Sequence, residues 1–150
     1  MDVESLQVGS ESDFDAFVFC RLTFEAMHRF EDAPMTVRYL SNLHRHVFHV
    51  ELRVRVSSLD REVEFILLKD EVKRRIERFK IDSDTDVWSC EHWCVALMRQ
   101  PWGIQTGSSP AGRGPVYADR VVVSEDGENG AVVERRAVPG SDSDGQSAGS

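Results

Sequence analysis

Cysteine is scarce in this chain of 150 residues: there are three, an odd number, so no disulfide framework is indicated and a reducing, cytoplasmic setting is the expectation. No apolar run approaches the roughly 20 residues that a membrane-spanning helix needs, so no membrane partner is expected. The opening stretch MDVESLQVGSESDFD is acidic and lacks the basic-then-apolar order of a secretion signal. Positive charge is in deficit, with 18 Lys and Arg against 26 Asp and Glu, a formal net charge of -8. Neutralising phosphates requires a basic surface, so no nucleic acid is expected as a primary partner. There is no internal repeat, and the length suits one domain with one modest core.

What is present is a strongly patterned middle between two polar ends. Residues 1–13 are acidic, and VPGSDSDGQSAGS (138–150) has nothing to bury, so both are expected to be disordered around a domain at 14–137. Phe14 to Thr23 is expected as a strand. From His44 to Val56 the chain alternates: His44, His46, Phe48, Val50, Leu52, Val54 and Val56 share one face of a strand. The period then changes. Phe65, Leu68, Val72, Ile76 and Phe79 recur at helical spacing, with Lys69, Lys73, Arg74, Arg75 and Arg78 as a solvated opposite side. SCEHWCVALMRQP is a second short helix, with Ser89 as its N-cap and Pro101 beyond its end. VYADRVVVSEDGENGAVVERR reads as two strands joined around EDGENG. Strand, strand, helix, helix, strand, strand is an α+β order, an antiparallel sheet with two helices on one face.

Three of the five histidines fall within LHRHVFHV (43–50). Strand residues two apart point the same way, roughly 6.5–7 Å apart along the chain, so His44 and His46 can converge on one ion. His49 faces the other side. His28, just past the expected first strand, is the available third ligand, and three neutral imidazoles leave one open tetrahedral position, as at a catalytic zinc. The competing reading is a satisfied, partly buried histidine pair at a strand end. Cys90 and Cys94 lie one helical turn apart but share an apolar stripe with Leu97 and Met98, and they read as small buried hydrophobes, as does Cys20.

Taken in order, FEAMHRF, LHRHVFHVELRV, REVEFILLKDEV and VVVSEDGENGAVV resemble the phrases of the 6-pyruvoyl-tetrahydropterin synthase and 6-carboxytetrahydropterin synthase family over roughly residues 17 to 135. The resemblance implies a T-fold, a ββααββ unit that oligomerises, as a trimer or hexamer, so that sheets close into a barrel with active sites between subunits. It implies that His28, His44 and His46 hold Zn2+. It implies that Glu125 anchors a pterin or purine-like ring, a carboxylate accepting parallel hydrogen bonds from a 2-amino group and the adjacent ring N–H. Ser89 and Glu91 match the family's T-x-E segment near the same ring, although both also suit a helix cap.

The chain departs from the family where protons are moved. No cysteine lies between residues 21 and 89, and Leu40 or a neighbour stands where the family's catalytic cysteine would be. The family's Asp-His pair falls near Lys80 and Ile81. Arg45 replaces the glycine between the zinc histidines, and Glu64 replaces the aspartate at the start of the helix. The resemblance implies an enzyme of 7-deazaguanine or pterin biosynthesis acting on 7,8-dihydroneopterin triphosphate or a close relative. The alternatives are a non-catalytic zinc-containing pterin- or purine-binding module, or a purely structural T-fold. The catalytic residue is unassigned, with Tyr39, Asp82, Asp84 and His92 as the side chains left to consider.

Overall fold

The computed structural model of the chain describes residues 13–103 and 114–137. Apart from Asp13, the expected disordered ends lie outside the described residues. Strands β1 (Ala16–His28) and β2 (His44–Val56) pair antiparallel, residue against residue, from Ala16 opposite Val56 to His28 opposite His44. This corrects the sequence reading at both ends of β1. The strand does not start at Phe14, because β2 stops at Val56 and offers no partner beyond Ala16. It does not stop at Thr23, because β2 supplies a partner as far as His44 and Phe24 and Ala26 keep the inward alternation going. His28, expected just past the strand, is therefore its last residue.

Helix α1 (Phe65–Asp82) begins at Glu64, whose carboxylate accepts the Ile66 main-chain N–H at 3.2 Å. Helix α2 (Cys90–Met98) begins at Ser89, as expected, with the Ser89 hydroxyl accepting the His92 N–H at 3.2 Å. Strands β3 (Ala118–Glu125) and β4 (Asn129–Glu134) complete an antiparallel sheet of order β1-β2-β3-β4. The class is α+β, with a four-stranded antiparallel sheet and both helices on one face. The 3₁₀ turns Met35–Ser41 and Thr85–Val87 add to the expected pattern.

One core joins Leu22, Phe24, Phe48, Leu52, Val54, Val121 and Val123 of the sheet to Leu68, Val72 and Ile76 of α1 and Trp93, Cys94 and Leu97 of α2. All three cysteines are free and buried, as their apolar neighbours implied. Phe65 does not join the stripe that the sequence gives it. It sits in the first turn of α1, 56% exposed, beside exposed Ile66 and Leu67. Among the described residues, no helix is long and apolar enough to cross a membrane.

The opposite face of the sheet carries charge. Arg21 Nε lies 2.8 Å from Glu51, whose other oxygen is 3.5 Å from Arg120, and Arg120 Nε lies 2.9 Å from Glu134. The β3–β4 connection is tight. Asp126 and Gly127 both have positive φ, 53° and 74°, and the Glu128 N–H returns to the Glu125 carbonyl at 3.1 Å. Consecutive positive φ angles belong to the primed hairpin turn that Asp-Gly favours. That turn fixes where Glu125 and Asp126 point.

Candidate metal centre

The inward stripe of β2 changes chemistry along its length. Phe48, Val50, Leu52 and Val54 lie in the core, while His44 and His46, on the same face, extend beyond it. His28 faces them from β1. One ring nitrogen from each of His28, His44 and His46 lies within 4.8 Å of the others. Ring centroids are 4.5 Å apart for His44 and His46 and 5.6 Å apart for His28 and His44.

The hydrogen bonds behind the rings decide which nitrogens face inward with lone pairs. His44 Nδ1 is 2.6 Å from the Asn42 carbonyl oxygen, which can only accept, so Nδ1 carries the proton. His46 Nδ1 is 2.7 Å from Asp126 Oδ2, a carboxylate that likewise only accepts. Both rings are thereby left with an unprotonated Nε2 in their neutral form. His44 Nε2, His46 Nε2 and His28 Nδ1 are buried and have no hydrogen-bond partner. Each of the three rings thus carries a buried nitrogen without a hydrogen-bond partner, which is costly unless something meets it, and one nitrogen of each ring lies within reach of a common point. A divalent ion fits that requirement, and all-imidazole ligation suits zinc, copper, iron or nickel rather than calcium or magnesium. The cluster can hold a metal ion.

Glu125, at the end of β3, pairs with Phe48 in the sheet register and so turns to the same face. Its Oε1 lies 3.4 Å from His28 Nδ1 and its Oε2 lies 3.6 Å from His46 Nε2. The His28 contact is an electrostatic one rather than a formed hydrogen bond. Burial pushes the His28 imidazole below its ordinary value, and the Glu125 carboxylate opposes that shift only in part. The ring is thus held in the neutral form that a metal needs.

A cleft of 540 Å³ opens beside the cluster. Its lining brings His28 together with Glu125, Ser89 and Glu91, the three residues that the resemblance places around one ring, and with His92 and Cys90. Ser89 and Glu91 also serve the helix start. The Glu91 main-chain N–H and the Ser89 hydroxyl hold the Glu91 carboxyl below the usual carboxylate range. His92 Nδ1 accepts the Ser89 main-chain N–H at 3.3 Å, the return bond of a reciprocal cap, and lies 3.1 Å from Ser89 Oγ. Burial pushes the Cys90 thiol up to about 12, which removes it as a ready thiolate at neutral pH.

The other side chains considered as bases do not line the cleft. Tyr39 is 69% exposed on the Met35–Ser41 turn, Asp82 lies 2.8 Å from Arg78, and Asp84 lies 3.9 Å from Arg29. Lys80, at the position matching the family's Asp-His pair, donates to the Glu25 carbonyl at 2.9 Å. Arg45, between the two histidines, points to the other face toward Glu25 at 3.6 Å. His49 is exposed on that face. The residue that the sequence reading missed is Asp126, taken there only as part of a turn. A carboxylate beside a metal-type histidine was the available signal, but its partner lies 80 positions away. The chain matches no protein-family model and no curated protein sequence.

Proposed function

We propose that this chain is a zinc-binding T-fold protein of the 6-pyruvoyl-tetrahydropterin synthase and 6-carboxytetrahydropterin synthase kind, acting on 7,8-dihydroneopterin triphosphate or a close relative in 7-deazaguanine or pterin biosynthesis. The observation that carries this reading is the meeting, in one place, of three partly buried imidazoles and a carboxylate at the mouth of a cleft. His28, His44 and His46 would hold the ion. When bound there, zinc supplies Lewis acidity to a hydroxyl or carbonyl oxygen of the substrate side chain. The chain's own residues do the rest. Glu125 accepts the paired N–H donors of a pterin or purine edge, and Ser89 and Glu91 border the same cleft. Of the side chains considered as bases, His92 alone lines it.

A second reading is a zinc-containing binding module without turnover. The absence of cysteine between residues 21 and 89, with Lys80 and Ile81 in place of the family's Asp-His pair, favours it. Sheet edges β1 and β4 are both unpaired among the described residues, as an assembly that closes into a barrel would need.

One experiment addresses both readings. Zinc-loaded protein is titrated calorimetrically with neopterin, then incubated with dihydroneopterin triphosphate while products are followed by mass. Glu125→Gln sets a donor against a ligand donor and removes a charge-assisted bond. It should weaken neopterin by about 1.5–3 kcal/mol, roughly 10- to 150-fold, and leave zinc content unchanged. Binding with no product selects the module. Equal affinity in both proteins, or binding by neither, rejects the ligand class.

A further inference from the structure

We propose that Asp126 is a positioning residue of the metal centre, holding His46 in the one tautomer that can bind an ion. Asp126 is clamped onto β2 by both its main chain and its side chain. Its N–H donates to the Val47 carbonyl at 2.7 Å, and its Oδ1 accepts the Val47 N–H at 3.0 Å. Its second oxygen, Oδ2, is left for His46 Nδ1 at 2.7 Å. The left-handed φ of 53° makes this double use possible, because it folds the side chain back over the strand that carries the ligand.

The bland account is that Asp126 merely ties a hairpin turn to its neighbouring strand. The two accounts differ in what an amide would do. An asparagine has one acceptor and one donor end. With its oxygen on the Val47 N–H, its NH₂ faces His46 Nδ1, which must then give up its proton and become the acceptor. The proton moves to Nε2, the inward nitrogen, and blocks it. Asp126→Asn therefore converts a small change at the turn into loss of a lone pair at the ion, while Asp126→Gly keeps the positive φ and simply deletes the carboxylate.

The proposal rests on the three-histidine metal reading, and the test has a readout for each. Imidazole nitrogen–proton correlation spectra of metal-free protein report the tautomer of His46, with His44, held by a backbone carbonyl, as internal reference. Competition against a chromophoric chelator reports zinc affinity. Wild type should show His46 protonated on Nδ1, and Asp126→Asn should move it toward Nε2. Both variants should bind zinc about 10- to 100-fold more weakly. Wild type that takes up no zinc overturns the metal reading and this proposal with it. Wild type that binds zinc, with Asp126→Asn within twofold of it, overturns the role of Asp126 alone. Weakened zinc with an unchanged His46 tautomer in Asp126→Asn also overturns it, since a turn tie accounts for that result. Should Asp126→Asn fail to fold, Asp126→Gly decides on both readouts: zinc affinity within twofold of wild type, or weakened zinc with His46 still protonated on Nδ1, overturns the proposal.

Discussion

At one end of the helix-covered sheet face, Leu52, Val54, Ala118 and Val121 are wholly buried and bring only carbon to the interior. At the other end, His28, His44 and His46 bring three nitrogens that meet no donor. The same two-residue alternation places both groups, so backbone geometry alone does not separate core from site. What separates them is completeness. The carbon end gains from every contact it makes. Each unpartnered buried nitrogen at the histidine end costs about 1–3 kcal/mol until an ion or another donor meets it. A fold keeps such an end when a ligand supplies what the chain lacks.

Breaking the histidine end should have the largest effect, on binding alone. His44→Ala and His46→Ala should each lose zinc almost entirely by metal analysis of the purified protein. Two variants that both keep one zinc per chain would place the ion elsewhere and dissolve the contrast between the two ends.

Breaking the carbon end should reverse the pattern. Leu52 is fully buried in the core, and Leu52→Ala should cost about 2–5 kcal/mol in urea denaturation while zinc still binds. In metal-free protein, His46→Ala removes one hydrogen bond and one unpartnered nitrogen. It should cost no more than about 1.5 kcal/mol. If the two substitutions destabilise equally, the histidines belong to the core after all.

How far the sequence made this visible depends on how local each feature is. The β2 alternation, the Ser89 cap and the Asp-Gly turn each depend on a few neighbouring residues, and each stands where the sequence places it. The ends of β1 depend on β2, and the exposure of Phe65 depends on what packs against the first turn of α1. Neither can be read from a window. All three histidines of the metal cluster were named from the sequence, His44 and His46 by spacing and His28 as the available third ligand, but the place of His28 opposite His44 follows from a strand that runs farther than its own residues announce. Asp126 was invisible for the same reason, since a left-handed turn sends its carboxylate to a strand 80 positions earlier. Glu125 needed the register that sets it opposite Phe48 before it could be placed beside the imidazoles.

The smallest effect is expected on the uncovered face, and it sharpens the comparison by adding a third chemistry. Glu51 bridges Arg21 and Arg120 there, with its side chain 28% exposed. An ion pair open to water contributes about 0.2–1 kcal/mol, because solvent screens it and the long side chains lose freedom in forming it. Breaking a pair shut away from water costs about 3–5 kcal/mol, because the surviving charge is stranded. The Glu51 side chain is open to water in this chain, so Glu51→Gln should lower stability by about 1 kcal/mol or less. The same samples examined by light scattering should contain a homo-oligomer. A loss of several kcal/mol would mean that another surface covers this face and excludes water from it. A stable monomer at micromolar concentration would rule out the barrel assembly that the family resemblance implies.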